Sequence, residues 1–330
     1  MKYLLLVPLI AAAVVIAAGC GSPQGQGNAV QPTSAITAPA ASPTTAAKAG
    51  PTTRPSPAPT KQPTAGTPPT ATAPAVGAGA TQQEAAVQTL LDYFDAINQR
   101  DYGKAYGYWA ENGAASGQTP QGFASGYAST VRVTVLLGTV GSQGTGSASR
   151  VTVPADLTSI VNPTDQTQPQ QVHHYQGTYT LQPGGGSGWE IASASVAEVP
   201  AAQSALADVA DPTTLLRSYF DALNRRGFAR AYTYWDNLGQ ASKQTFAQFE
   251  QGYAATRQVT VDLGTPQENA GAGNVYADVP VSIIATQSDG STRTYKGTYT
   301  AHRANIPPFD QLGWRIEGAK VTLAAGGSTR

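Results

Sequence analysis

Acids and histidines are the side chains of this chain that could carry acid–base chemistry. Asp95 and Asp221 recur at equivalent places in two similar segments, and a general acid or base needs such a side chain in a cleft that shifts its pKa. Each one follows a phenylalanine and precedes an alanine in a helical pattern, which favours an exposed or helix-pairing role. The sequence therefore offers no clear base that both segments share.

The histidines, His173, His174 and His302, are not spaced as metal ligands. His173 and His174 are neighbours in a predicted strand, so at most one of them could face an interior, and His302 has no counterpart in the other segment. Zinc motifs combine histidines with cysteines or carboxylates at fixed spacing, and that spacing is missing here. Phosphate-loop, dinucleotide and nucleophile-elbow motifs are missing as well. We expect no metal, no cofactor and no catalytic residue.

Aromatic residues recur more faithfully than any acid. They could line an apolar pocket whose phenol and indole groups orient a ligand, or they could fill a core with their hydroxyls reaching the surface. We favour the core and keep the pocket as the alternative. The candidate pocket-lining residues are Tyr93, Tyr106, Trp109, Tyr127, Tyr179, Tyr219, Tyr232, Trp235, Tyr253 and Tyr299.

These aromatic residues belong to a duplication. Residues 93–109 match residues 219–235 at ten of seventeen positions, and residues 123–139 match residues 249–265 at eleven of seventeen. The matched blocks keep their order while the connections differ in length, as expected for one domain fold used twice. We predict two domains, 83–199 and 211–325, with a connector at 200–210 and a tail at 326–330.

Each copy changes from helical to strand periodicity along the chain. Leu90 and Phe94 lie on the apolar stripe of a first helix, and Asp211 before Pro212 predicts the start of the equivalent helix. Second and third helices follow, and then four strands with alternating apolar residues. We predict an α+β fold, with two tandem copies of a cone-like domain of three helices and a curved four-stranded antiparallel sheet. The further helices are expected at about 102–110, 120–129, 228–236 and 245–255.

Two details of the strands predict local geometry. Pro154 and Pro280 recur in the second strand of each copy, which indicates an edge position or a bulge. In the last strand the apolar phase slips after Ile191 and again after Ile316. We expect a β-bulge there that bends the sheet.

The start of the chain indicates export. Residues 1–19 combine a basic start, an apolar run and small residues, as a signal peptide does. Cys20 is the only cysteine, and "AAGC" resembles the lipobox of bacterial lipoproteins, although Ala17 stands where leucine is usual. That resemblance implies a diacylated Cys20 and a lipid-anchored protein on the extracytoplasmic side of the cell membrane. The alternative is an ordinary signal peptide with an incidental cysteine.

Residues 20–82 complete the predicted tether. Positions 21–82 hold 12 of the 24 prolines and neither an aromatic nor an acidic residue. Such a composition cannot bury enough apolar surface to order the backbone, so we predict an extended, disordered linker.

Charge limits the class of partner. The chain carries 20 basic and 20 acidic residues, without the basic stripe that a nucleic-acid-binding protein needs. Residues 83–199 have four basic and nine acidic residues (net −5), whereas residues 211–330 have twelve and ten (net +2). This asymmetry could draw the two copies together, and chance explains it as well.

The segment "LLDYFDAINQRDYGKAYGYW" (90–109) resembles the opening helices of the nuclear transport factor 2-like superfamily, and the order of helices and strands agrees in both copies. The resemblance implies a cone with an apolar pocket and copies that pair with each other through their sheets. Family members include isomerases, cyclases and dehydratases, and also non-catalytic binding or spacer domains of secreted and anchored proteins.

Two functions follow from these observations. The favoured one is a non-catalytic binding or scaffold module, anchored to the membrane, that takes an extracytoplasmic protein or a small apolar ligand. The alternative is an enzyme of the isomerase, dehydratase or cyclase type. It would need a buried carboxylate or histidine facing the interior of at least one copy.

Overall fold

The computed structural model describes residues 82–185 and 188–329. The predicted signal peptide, Cys20 and nearly all of the predicted linker lie outside these residues. Both copies of the repeat fall within one compact unit. Among the described helices, none is long and apolar enough to cross a lipid bilayer.

Helices precede strands in each copy, so the predicted α+β class is confirmed. The short helices end earlier than predicted. For the second helix of each copy the reason is that Trp109 and Trp235 leave the helical path to form bridges with Ile191 and Ile316 of the sheets. The helices are α1 (Gln82–Asn98), α2 (Tyr102–Gly107) and α3 (Pro120–Tyr127) in the first copy, and α4 (Pro212–Asn224), α5 (Phe228–Thr233) and α6 (Phe246–Gly252) in the second.

Side-chain caps fix where several helices begin. Asp211 accepts hydrogen bonds from the backbone N–H groups of Thr213 and Thr214, both at 2.9 Å, which confirms the predicted cap of α4. Thr245 and Gln248 form a reciprocal capping box at α6. These bonds satisfy N–H groups that the first helical turn leaves without partners.

Each copy contains an antiparallel sheet of five strands, one more than predicted. The additional strands, β2 and β7, are short and partly or fully exposed, so they carry no apolar alternation by which the sequence would mark them. The strand orders are β1-β3-β4-β5 with β2 beside β3, and β10-β9-β8-β6 with β7 beside β8. The strands are β1 (Thr130–Leu137), β2 (Gly141–Gln143), β3 (Arg150–Val161), β4 (Gln171–Pro183), β5 (Trp189–Val199), β6 (Thr256–Leu263), β7 (Gln267–Gly271), β8 (Asn274–Gln287), β9 (Thr292–Ala304) and β10 (Arg315–Thr329).

The repeated prolines lie in interior strands, so the expected edge position is wrong. Pro154 lies in β3 between the end of its pairing with β1, at Ala155, and the start of its pairing with β2, at Thr152. Its carbonyl oxygen accepts a hydrogen bond from the backbone N–H of Gly138 (2.7 Å). Proline is tolerated there because its missing N–H falls in the gap between two partner strands.

The predicted bulges of the last strands are confirmed. Pairing of β4 with β5 shifts between Thr180 and Leu181, which leaves Ala192 as the additional residue. Pairing of β9 with β10 shifts in the same way and leaves Glu317 as the additional residue. Both shifts occur where the apolar phase of the sequence slips, and such bulges bend a sheet locally.

One face of each sheet packs against the first helix of its own copy. Val153 pairs with Tyr179 and Leu157 with Tyr175, and all four side chains are buried on the same side of the sheet. The side chain of Asn98, at the end of α1, bonds both the N–H and the carbonyl oxygen of Val133 in β1 (2.8 and 2.9 Å). Asn224 and Val259 repeat this bond pair in the second copy.

Candidate functional site

The aromatic residues singled out from the sequence meet inside each copy. Tyr93 on α1 lies with its ring centroid 6.1 Å from Trp109 and 6.3 Å from Tyr179 of β4. Two backbone hydrogen bonds to β5 hold Trp109 in place: the N–H of Ala110 donates to the carbonyl oxygen of Ile191 (3.0 Å), and the N–H of Ile191 donates to the carbonyl oxygen of Tyr108 (2.7 Å). The side chains of Tyr93, Trp109 and Tyr179 are almost completely buried.

The second copy repeats this arrangement. The ring centroid of Tyr219 lies 6.2 Å from Trp235 and 5.9 Å from Tyr299, and these three side chains are also buried. Edge-to-face and tilted contacts at such distances are favourable packing geometries. The rings therefore touch one another within a packed core, and their predicted role as pocket lining stays a prediction.

The interior hydroxyls bond one another. The hydroxyl of Tyr93 lies 2.8 Å from that of Tyr127, and the hydroxyl of Tyr219 lies 2.8 Å from that of Tyr253. The indole nitrogen of Trp109 is buried without a hydrogen-bond partner. Each interior is thus apolar except for a small group of phenol and indole donors.

This environment disfavours base catalysis. Burial raises the pKa of Tyr93, Tyr127 and Tyr179, so these phenols stay protonated at neutral pH. They can donate a hydrogen bond and cannot remove a proton. Among the side chains that are buried in the described part of the chain, none is a carboxylate.

Tyr106 and Tyr232 lie at the edge of the interior. Tyr106 donates its hydroxyl hydrogen to the carbonyl oxygen of Gln118 (2.9 Å), as Tyr232 does to that of Gln244 (2.7 Å). The Tyr106 ring lies against Gly113, where an added Cβ would come within 1.9 Å of Cε1. These tyrosines hold the loop between two short helices, which is a structural task.

The duplicated acids lie on the surface side of their helices. Asp95 accepts a hydrogen bond from Gln99 one turn later (2.6 Å), and Asp221 pairs with Arg225 (3.1 Å) with both side chains more than half exposed. An exposed or helix-stabilising role, as favoured by the sequence, accounts for both contacts.

Two of the histidines lie on opposite faces of β4. His174 is buried, it lies 3.2 Å from the hydroxyl of Thr158, and burial lowers its pKa. His173 shares the inner face with Tyr175 and lies 2.7 Å from Glu198 of β5. His173 and Glu198 therefore form an acid–base pair at the rim of the first interior, although Glu198 is half exposed.

The two copies contact each other through α5 and β1. Arg230 of α5 bonds Asp156 of the first copy (2.6 Å) and Asp208 of the connector (2.7 Å). Tyr234 also donates a hydrogen bond to Asp208 (2.9 Å). Burial opposes the charge of Arg230, but Tyr234 and the two carboxylates outweigh it and raise the pKa of the guanidinium. The backbone N–H of Leu137 completes the contact by bonding Thr233 (3.0 Å).

The second copy also gathers a group of charged side chains near this contact. Asp236, His302 and Glu317 each place a possible ligand atom within 4.8 Å of the others, and the carboxylate of Asp236 raises the pKa of His302. Arg315 pairs in register with His302, and burial lowers the pKa of its guanidinium to about 10. The spacing argument from the sequence missed this group, because Asp236 lies far from His302 and Glu317 in the sequence and the last two lie in different strands.

A signal for these residues was present in the differences between the copies. At the matched positions, Lys104 stands for Arg230, Ala110 for Asp236, and Gln182 for His302. Aromatic residues that the copies share form the two interiors. In the contact and its neighbouring cluster, the first copy keeps the positive charge of Arg230 as Lys104 but has no counterpart of the Asp236 carboxylate or the His302 imidazole.

The cavities between the copies are small. One of about 60 Å³ lies between Gln83 of α1 and Phe246 and Glu250 of α6. Two others of about 10 Å³ each are both lined by Thr134 of β1 and Arg315 of β10. Pockets for drug-sized ligands usually measure some 300–1,000 Å³, so these three spaces suit water or a small ion.

Comparison with known proteins gives structural neighbours only. No protein-family model matches the chain, and no curated protein sequence matches it. One similar solved structure is a dehydratase candidate of the nuclear transport factor 2-like family from Streptomyces avermitilis, with 16% identity over 36% of this chain and 97% of that chain, and a TM-score of 0.29. Another is a nuclear transport factor 2-like protein involved in plasmid conjugation, with 10% identity over 71% of this chain and 92% of that chain, and a TM-score of 0.22.

Proposed function

We propose that this chain is a non-catalytic binding or scaffold module, tethered outside the cytoplasmic membrane by a lipid on Cys20. The observation that carries the proposal is the filling of both interiors by the rings of Tyr93, Tyr179, Tyr219 and Tyr299. Buried rings in mutual contact leave the outer surfaces as the place for a partner. The partner class is an extracytoplasmic protein.

The conserved geometry of the two interiors supports this function. Both copies keep the pair of bonded tyrosine hydroxyls and the adjacent tryptophan. An enzyme of the isomerase or dehydratase type requires a base with a matched pKa at the reacting atom. Phenols that burial keeps protonated stabilise a fold without supplying that base.

The module would stand away from the membrane on its linker. If residues 21–82 behaved as a flexible coil, these 62 residues would span roughly 45 Å between their ends, and proline would lengthen that span. Two acyl chains on Cys20 would supply the two hydrophobic anchors that stable membrane attachment requires. The tether and the filled interiors together fit a module that presents its outer surface to a partner away from the membrane.

Native mass spectrometry of the full chain, extracted from its host membrane in detergent, tests the proposal. We expect an intact mass that includes a diacylglyceryl group and lacks residues 1–19, with no small molecule retained. A Cys20→Ala variant should lose the lipid mass. A lipid-free wild-type chain would refute the tether.

The same measurement separates the enzyme alternative. His173, paired with Glu198 at the rim of the first interior, is the observation that favours it. A small apolar molecule that is bound reproducibly to the wild-type chain, and lost in a His173→Gln variant, would replace the scaffold proposal by that alternative. Retention of the molecule by His173→Gln would point to a ligand-binding module instead.

A further inference from the structure

Three charged side chains of the second copy converge from separate segments of the chain. Asp236 follows Trp235, which bridges to Ile316 of β10. That bridge brings Asp236 beside Glu317, the bulged residue that follows Ile316. His302 on β9 pairs in register with Arg315 and therefore lies next to both. The backbone pairing of these segments therefore brings the three side chains together.

The distances within the group fit a coordination site. Nε2 of His302 lies 3.1 Å from Oδ2 of Asp236 and 3.5 Å from Oε2 of Glu317. Ligand atoms of a tetrahedral zinc ion, bound at about 2.0–2.1 Å, are separated by about 3.3 Å. Nε2 is buried and makes no hydrogen bond of acceptable geometry, although Asp236 is near. The ring nitrogen is thus close to both carboxylates without being aligned on either one.

Burial and access also suit a bound cation. The side chains of His302 and Asp236 are 20% and 27% exposed, whereas that of Glu317 is 49% exposed. Glu317 therefore offers an entry path and leaves room for water as a fourth ligand. The His302 ring stacks on Tyr276, with centroids 5.8 Å apart, which limits its rotation.

The first copy shows that the fold does not need these side chains. Its matched residues are Ala110, Gln182 and Ala192, and Ala192 is the bulged residue of β5, as Glu317 is of β10. A structural requirement of the domain would apply to both copies. At these three matched positions, the second copy has residues that can bind a metal ion and the first copy does not.

Arg132 acts on Asp236 as one opposing charge, and the guanidinium of Arg315 acts on His302 as another. The Arg315 guanidinium is buried next to the group, and it donates a hydrogen bond to the carbonyl oxygen of Trp314 (2.9 Å). Two carboxylates balance the charge of a divalent cation, and the positive charges of Arg315 and Arg132 would weaken its binding. An imidazole with two carboxylates and an open position is a donor set that zinc accepts.

The geometry points to a divalent transition-metal site of the zinc class, formed by His302, Asp236 and Glu317 in the second copy. This site is separate from the proposed scaffold function and does not depend on it. Its position beside the contact between the copies means that a bound ion would also join the α5 region of the second copy to β9 and β10.

Zinc titration of the full chain tests the site. The chain, purified in detergent without a polyhistidine tag and stripped of metals, is titrated with zinc chloride in a calorimeter. We expect one zinc ion per chain, with binding weakened roughly tenfold or more in His302→Gln, Asp236→Ala and Glu317→Ala. These variants carry the residues of the first copy, so we expect them to fold. Cobalt should give the visible spectrum of a tetrahedral ion.

A matched control is the other histidine–carboxylate pair. His173→Gln removes a histidine that lies 2.7 Å from Glu198. Among the described residues, His173 belongs to no group of three possible metal ligands, so we expect this variant to leave zinc binding unchanged. Equal weakening by His173→Gln, or zinc binding that none of the three ligand variants changes, would overturn the site. So would the absence of binding in a folded wild-type chain, which would leave the group as an ion pair only. Glu317→Ala, at a half-exposed position, keeps the test valid if His302→Gln fails to fold.

Discussion

At the scale of single residues, the interior tyrosines combine burial with mutual hydrogen bonding. Tyr93 and Tyr127 are both buried and bond each other at 2.8 Å. A buried hydroxyl that loses its partner suffers the full cost of desolvation, whereas loss of both hydroxyls leaves no unsatisfied group. The two hydroxyls therefore contribute to stability as a pair.

A double-mutant cycle measures this coupling. We expect Tyr127→Phe and Tyr93→Phe each to lower the free energy of unfolding by about 1–3 kcal/mol. The double variant should lose less than the sum of the two, because it leaves neither hydroxyl alone. Urea unfolding followed by tryptophan fluorescence gives the three values. Strictly additive losses would show that the hydroxyls do not interact.

The interior phenols also set how stability depends on alkaline pH. Burial raises the pKa of Tyr175 to about 12 and raises that of Tyr93 further, above the ordinary value of 10.0 for the unfolded chain. Their contribution is fully present below pH 10 and is lost as pH rises through the folded-state pKa, because the unfolded chain releases protons first.

Absorbance of ionised tyrosine checks this dependence. We expect part of the tyrosine signal to appear only together with alkaline unfolding, as followed by circular dichroism. A Tyr175→Phe variant should remove one of the late-ionising groups and leave the earlier part of the titration unchanged. Complete ionisation of the folded chain near pH 10 would contradict burial of these rings.

At the scale of elements, the loop between α2 and α3 illustrates how a glycine fixes an aromatic contact. Gly113 has φ +96°, a conformation that side-chain-bearing residues rarely adopt, and it faces the ring of Tyr106. Gly239 repeats both features against Tyr232. The two loops therefore depend on a missing Cβ for both backbone and packing reasons.

Alanine at this glycine should be costly. In Gly113→Ala, the new Cβ would lie 1.9 Å from Cε1 of Tyr106, so we expect a loss of roughly 2 kcal/mol or more in the free energy of unfolding. Gly107→Ala is the control, since nothing lies within 4 Å of its Cβ position. It should change stability by less than about 1 kcal/mol, in the stabilising direction. Chemical denaturation gives the free energy of unfolding of both variants. Equal changes in Gly113→Ala and Gly107→Ala would contradict the packing argument.

At the scale of the whole molecule, one arginine joins three parts of the chain. Arg230 of the second copy bonds Asp156 of the first copy and Asp208 of the connector. The connector itself folds into short 3₁₀ helices at Ala201–Gln203 and Ala205–Val209. The position that matches Arg230 is Lys104 and the position that matches Asp156 is Ser282, so this ion pair is not repeated in the other copy.

Removal of this arginine should loosen the contact between the copies. We expect Arg230→Ala to lower the free energy of unfolding by about 2–3 kcal/mol, less than a fully buried pair would, because Asp208 is 41% exposed. Arg230→Lys should recover part of the loss, since an ammonium cannot bridge both carboxylates in a fixed plane. Hydrogen exchange of the β1 backbone reports the contact directly.

An exposed ion pair of the same copy serves as the control for Arg230. Arg225 pairs with Asp221 at 3.1 Å, with side chains 77% and 56% exposed. Arg225→Ala should cost less than about 0.5 kcal/mol. If Arg225→Ala and Arg230→Ala have the same effect on stability and on exchange at β1, the contact between the copies does not rest on Arg230.

Patterns within short windows were predictable from the sequence. Apolar periodicity identified the helix that contains Leu90 and Phe94, and the phase slip after Ile191 identified a bulge in β5. Both depend on how neighbouring residues alternate between buried and exposed sides, which is local information. Strand β2 carried no such pattern and was missed, and the gap that accommodates Pro154 depends on which strands flank β3.

The sequence by itself determined the α+β class, the positions of the main elements and the aromatic content of the interiors, since these follow from local periodicity and repetition. The tertiary structure alone decided which side chains meet. Asp156 meets Arg230, and Asp236 meets His302, across more than 60 positions of the chain. Such contacts depend on strand register and on how the copies pack, and neither is encoded in the spacing of residues along the sequence.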